Sequence, residues 1–365
     1  MRSAKVAGAI AKTAGRIAET AGKIARTAGG VANAARAIGI GACLSSIVSC
    51  AASGAARDAL ERHEFSQLHM GVRVRIVVYA RSEREALEAC TAAFRRFAEL
   101  DDSMSDYRPA SELMRLCARA GGPPVEVGED LWIVLASALA LARESGGAFD
   151  PTAGACMRLW REARRTGRLP EPAEIDAALA VSGWRSVRLD PGRRTVALAT
   201  PGMQLDLGGI AKGYAVDQAL AALRGHGIER ALVEAGGEIG ALAPPPGERG
   251  WRVALHGEST YLLANAALST SGDAEQHFVA GGQRFSHVVD PRTGWALRDS
   301  VQVTVLARDG LTADGLSTAA GVLGPAHARP LLEAHEADEL SPRWFNTLRY
   351  RAPTHGVYGA GNGKR

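Results

Sequence analysis

One stretch constrains the fold more than any other: Leu205-Asp206-Leu207-Gly208-Gly209-Ile210-Ala211-Lys212-Gly213-Tyr214-Ala215-Val216-Asp217. It reads as an apolar strand end that delivers an aspartate, a two-glycine turn, and a helix that follows at once. Glycine lets backbone approach a ligand closely, and amides at a helix start face an anion with the positive end of the dipole. The lysine precedes its glycine and no Ser or Thr follows, so this is neither a Walker A loop nor a GxGxxG fingerprint. Alone, such a turn is more often structural than functional. Lys212 shifts that balance. Of 43 Lys+Arg, five are lysine, and Lys212 is the only lysine between Lys23 and Lys364. Where arginine fills every other basic position of the body, a lone compact ammonium suggests contact with phosphate or carboxylate.

The charge is divided unevenly along the 365 residues, whose formal net charge is +4. Residues 1–50 hold Arg2, Lys5, Lys12, Arg16, Lys23, Arg26 and Arg36 against Glu19, a net of +6, which leaves −2 on residues 51–365. The body therefore lacks the clustered positive charge of a nucleic-acid-binding surface. Residues 4–38 repeat every seven (AKVAGAI, AKTAGRI, AETAGKI, ARTAGGV, ANAARAI). The repeat reads as a low-complexity leader, with a cationic membrane-surface helix as the sharper alternative; large anchoring side chains are missing. An uncharged run, AIGIGACLSSIVS, then leads to Cys50. A basic region followed by a short apolar run is an export signal. Ile47-Val48-Ser49-Cys50 resembles a bacterial lipobox, and Cys43 stands too close to Arg36 to serve instead. The expectation is an exported protein, lipid-anchored at Cys50 to the bacterial inner membrane and facing the periplasm. Cys90, Cys117 and Cys156 show no metal-ligand spacing and read as buried small hydrophobes.

The expected layout is a leader over 1–50, a small and polar tether over 51–66, a catalytic domain over 67–336, and a divergent tail over 337–365. Val72–Val78 alternates like a strand, and Ser82 with Glu85 forms a capping box that opens a helix to about Leu100. Further helices are expected at 111–118, 129–145, 173–181, 210–224 and from Thr312. Strands are expected near 186–189, 194–199, 231–235, 251–256, 261–266, 284–289 and 301–307. Interleaving without a strict βαβ rhythm points to an α+β fold.

Asp314 and Thr318 lie four apart and can share a helix face. A carboxylate and a hydroxyl suit Mg²⁺ better than zinc, although by spacing alone both residues are ordinary helix caps. His287 in Ser286-His287-Val288-Val289-Asp290 is either a general base or a core histidine.

Seven motifs occur in order: HMG at 69–71, MSDYRPASEL at 104–113, GAFDPT at 147–152, LDLGGIAKGYAVD at 205–217, STSGD at 269–273, SHVVDPRTG at 286–294 and DGLST at 314–318. Together they resemble the ApbE family, the FAD:protein FMN transferases, over about residues 66–325. The resemblance implies an ApbE-like α+β fold with a cleft for FAD and an Mg²⁺-dependent enzyme. Its reaction would cleave FAD and transfer FMN to a Ser or Thr hydroxyl of an acceptor protein, releasing AMP. Carried over by motif, Met70, Tyr107, Ala148, Phe149, Asp150, Asp206, Lys212 and Val288 would contact FAD. The Gly209 carbonyl, Asp314 and Thr318 would hold Mg²⁺. His287 stands nearest the proton transfer, with Asp150 its competitor. Glu238, in Ala235-Gly236-Gly237-Glu238, departs from the aspartate more usual in the family. Two other functions fit the same residues: an Mg²⁺-dependent hydrolase that splits FAD into FMN and AMP, and a flavin-binding lipoprotein without turnover.

Overall fold

The hairpin Glu61–His69 and Val72–Ala80 opens the molecule. Its two turn residues, Met70 and Gly71, have φ of 49° and 72°. Positive φ at both central positions matches the right-handed twist of the flanking strands and closes them tightly. This computed structural model describes residues 59–255, 259–272, 277–280, 282–298 and 302–340, with the backbone of 357–359. The leader 1–50 with Cys50, the start of the tether and most of the tail lie outside the described residues. Leu60–Arg365 form one unit.

A seven-stranded, wholly antiparallel sheet runs Glu61–His69, Val72–Ala80, Ala231–Ala235, Glu238–Ala241, Ala266–Gly272, Gln302–Ala307, Asp338–Glu339. Alternation along Val72–Ala80 sorts its two faces. Val74, Ile76 and Val78 join the large core under the helices, whereas Val77 joins a second cluster with Leu232, Leu268 and Leu306. That second face is covered by a small sheet carrying Trp251, Val253, Leu255 and Leu263.

The helices are α1 (Glu83–Met104), α2 (Glu112–Cys117), α3 (Glu129–Glu144), α4 (Gly154–Thr166), α5 (Pro172–Ala180), α6 (Ala211–Gly225), α7 (Gly310–Leu323) and α8 (Pro325–Ala334). Ser82 caps α1 by accepting from the Glu85 amide, and the Glu85 carboxylate accepts from the Arg81 amide. α6 packs against α1 and α7, and α7 lies along the strands Ala266–Gly272 and Gln302–Ala307. Helices gathered on one face of an antiparallel sheet make the fold α+β.

Several expectations change. Residues 61–66 are not tether but part of the edge strand; its polar sequence hides it, because an edge strand with one wet face needs little apolar alternation. Leu205–Leu207 are not a strand end: Gln204 makes only an isolated bridge to Ala153, and the stretch is tied down by Asp206 N to Pro151 O at 2.8 Å. α4 and α8 arise where no helix was expected. α7 starts at Gly310, capped by Asp309, so Asp314 sits in the second turn rather than at the cap. The strand expected through His287 breaks there, between Gln283–Ser286 and Val289–Asp290. The tail contributes an edge strand at Asp338–Glu339.

Candidate active site

Two helix starts meet at a pair of glycines. A Cβ on Gly213 would stand 2.0 Å from the Gly310 carbonyl oxygen, and one on Gly310 would stand 2.4 Å from the Gly213 oxygen. Only glycine at both positions lets α6 and α7 cross this closely. Asp217 of α6 fastens the crossing by accepting from the Gly310 amide at 2.7 Å and the Leu311 amide at 2.9 Å. Burial raises the Asp217 pKa to about 6, against the pull of those two bonds. Asp314 accepts from the Gly213 amide at 2.9 Å through Oδ2.

The crossing brings the separated chemistry together. Lys212 Nζ lies 3.0 Å from Glu238 Oε1, 3.0 Å from the Gly208 carbonyl oxygen and 3.7 Å from Asp314 Oδ2. Burial works against the ammonium, but Asp314 and Glu238 outweigh it and raise the Lys212 pKa. Glu238 is delivered by a two-glycine hairpin, with Gly236 at φ 59° and Gly237 at φ 103°. Its carboxylate is 3% exposed, and its Oε2 is buried without a hydrogen-bond partner. Burial and the neighbouring Asp314 push its pKa up, against Lys212. One ammonium thus faces two buried carboxylates, and the excess negative charge favours a cation.

The oxygen set fits a hard divalent ion. A Cβ on Gly209 would lie 2.9 Å from Thr318 Oγ1, so the glycine lets its peptide reach the threonine hydroxyl. Asp314 is 2% exposed, and Ser317, bonded to Ser269 at 2.9 Å, pins the helix between Asp314 and Thr318. Carboxylate, hydroxyl, carbonyl and the unpartnered Glu238 oxygen are the donors that Mg²⁺ prefers. Among the described residues, no group of three or more His, Cys, Asp or Glu could hold a metal.

A second cluster adjoins the first through Asp206. Asp206 Oδ1 accepts from the Gly208 amide at 2.8 Å, and Oδ2 accepts from Arg161 at 2.6 Å. Arg161 also donates to Asp106 and lies under the Tyr107 ring, 4.6 Å from its centroid. The GAFDPT loop comes next, held to this cluster by Asp206 N to Pro151 O. Asp150 Oδ1 accepts from the Thr152 amide at 2.8 Å and the Thr152 hydroxyl at 2.6 Å, and Oδ2 accepts from the Trp184 amide at 3.1 Å. Both oxygens are thus engaged in shaping the loop. Burial raises the Asp150 pKa, and these bonds oppose it. The side chains of Ala148 and Phe149 are buried, at 1% and 4% exposure, so contact with a ligand there would come from backbone.

Met70 lies on one further segment, and the adjacent His287 and Val288 on another. Met70 is the hairpin turn, Val288 is buried, and His287 is half-buried in its bend. Glu238, Arg161 and Asp217 were not foreseen as site residues; Asp217 closes the 205–217 motif and Glu238 stands at a departure from the family, whereas nothing in the sequence marked Arg161.

Comparison with known proteins identifies the family of the chain. The ApbE family profile matches residues 70–340. The FAD:protein FMN transferase of Treponema pallidum is 34% identical over 306 residues, covering 77% of this chain and 83% of the relative. That of Haemophilus influenzae is 33% identical over 258 residues, covering 67% and 74%. Among solved structures, flavin transferase ApbE from Vibrio cholerae superposes with a TM-score of 0.69 at 31% identity, covering 77% of this chain and 93% of that one. The ApbE protein of Thermotoga maritima gives a TM-score of 0.67 at 32% identity, covering 75% and 90%.

Proposed function

The chain belongs to the ApbE family, and from that premise we propose that it transfers FMN from FAD to a Ser or Thr hydroxyl of an acceptor protein, in an Mg²⁺-dependent reaction that releases AMP. The observation that carries this reading is the convergence of Gly209, Lys212, Glu238, Asp314 and Thr318 at the crossing of α6 and α7. The Gly209 carbonyl, Asp314 and Thr318 would hold Mg²⁺, which when bound supplies charge neutralisation and orientation for a phosphoryl group. Lys212, fixed by three oxygens, presents a positive charge that needs no reorganisation when the phosphoryl group arrives. Asp206 and the Asp150 loop shape the neighbouring wall of the cleft.

In the proposed step the acceptor hydroxyl oxygen forms a bond to the FMN phosphorus. The bond from that phosphorus to the bridging oxygen breaks, and AMP leaves with that oxygen. The hydroxyl proton passes to His287, the residue we propose as base. The leader's +6 charge and lipobox-like tetrad support export and anchoring at Cys50, which the mass of the mature N-terminus tests.

Asp314→Asn tests the active-site assignment. The amide can still accept from the Gly213 amide, so the helix crossing survives while the charge that draws the cation is lost. The expected result is loss of Mg²⁺-dependent AMP release with an unchanged melting temperature. Full turnover in this variant would overturn the assignment.

A further inference from the structure

We infer that Arg161 is a positioning residue for FAD: it holds Tyr107 as an open stacking platform and neutralises the carboxylates beside it. This rests on the flavin-transfer reading above and on the family resemblance, which implies that Tyr107 and Asp206 contact FAD and gives no part to Arg161.

Three segments far apart in sequence meet at this one guanidinium. Nη1 donates to Asp106, at the end of α1, and Nη2 donates to Asp206 at 2.6 Å, beside the Gly208–Gly209 turn. The Arg161 side chain is 25% exposed, that of Asp106 18% and that of Asp206 8%, so the bridge is largely shielded from water and salt. The Tyr107 ring covers the guanidinium on one side, yet the residue is 70% exposed. One ring face is therefore backed by a cation and the other stands open. An exposed tyrosine on a loop would otherwise sample several rotamers and lose that freedom when a ligand stacks on it. A cation beneath the ring holds it in place before the ligand arrives.

The charge balance points the same way. Asp106 and Asp206 share a single arginine, and burial together with the neighbouring Asp206 raises the Asp106 pKa despite Arg161. Without the arginine, two carboxylates would face a substrate that carries an anionic pyrophosphate. Arg161 thus couples the orientation of an aromatic platform to the neutrality of the wall next to it.

The experiment measures FAD affinity of the full chain by quenching of flavin fluorescence, beside melting temperature and steady-state kinetics. Arg161→Gln is expected to weaken FAD binding about ten-fold and to raise KM with little change in kcat. Adding Asp106→Asn to that variant is expected to restore part of the affinity, because it removes the excess carboxylate; a merely structural bridge would show no such recovery. Arg161→Lys, which keeps the charge but loses the two-pronged contact, should fall between wild type and Arg161→Gln. Tyr107→Leu leaves both ion pairs in place and should weaken binding without lowering the melting temperature, a test that stands even if Arg161→Gln fails to fold. FAD affinity within about two-fold of wild type in Arg161→Gln or in Tyr107→Leu would overturn the inference. A wild-type chain that binds no FAD would overturn the flavin-transfer reading, and this inference with it.

Discussion

Lys212 fills a position that arginine cannot. Its ammonium is surrounded by the Gly208 carbonyl, Glu238 and Asp314 from three directions, whereas a guanidinium is planar, longer and donates in a fork. Lys212→Arg would keep the charge but push it out of this pocket. We expect turnover to fall by roughly ten- to a hundred-fold, the scale of a misplaced electrostatic contact, with the fold retained. Steady-state AMP release beside a thermal melt checks this, and wild-type turnover would show that charge alone suffices. Glu238 and Asp314 are the shielded members of this group, at 4% and 3% side-chain exposure against 22% for the lysine, so the ammonium tip is held against them while part of the side chain stays open.

At the scale of elements, the site is a property of how α6 and α7 cross. Gly213→Ala would place a methyl group 2.0 Å from the Gly310 oxygen and 2.7 Å from the Asp314 Cβ. The helices would have to separate, so we expect a loss of about 1–3 kcal/mol and a lower melting temperature, with activity falling because Asp314 shifts. A variant with wild-type stability and activity would contradict the crossing. Asp217 adds a pH signature. Its folded pKa of about 6 lies above the ordinary aspartate value of about 3.9, so the folded state binds more protons across that window. Its contribution to stability is therefore greatest below pH 4 and declines as the pH rises to about 6. Asp217→Asn should remove that decline, so the variant's melting temperature should improve relative to wild type as pH rises through the window. A difference independent of pH would contradict the assignment.

Across the whole molecule, what could be read from sequence depended on whether a segment's period or its partners decided the outcome. Val72–Ala80, α3 and α6 follow their apolar spacing, and α1 its spacing and its Ser82 cap, so they stood out. The edge strand Glu61–His69 is polar because one face is wet, and it is held by the adjacent hairpin strand; α4 is rich in arginine, and its buried face is carried by few apolar residues, among them Cys156, Trp160 and Ala163. The same division runs through the site. Asp206, Lys212, Asp314 and Thr318 lie in motifs whose order points to the family, although spacing alone would have made Asp314 and Thr318 helix caps, a role Asp309 fills. Arg161 and Glu238 acquire meaning only when 106, 161 and 206, or 212, 238 and 314, are brought together by the fold.

The most direct test of the account is the intact mass of a candidate acceptor protein after incubation with the full chain, FAD and Mg²⁺, with AMP measured in the same sample. The acceptor should gain one FMN less water, in step with AMP, and both should disappear when Mg²⁺ is chelated. AMP and free FMN with an unmodified acceptor would make the chain an FAD hydrolase, no AMP at all would leave a flavin-binding protein, and either result would contradict the transfer proposed here.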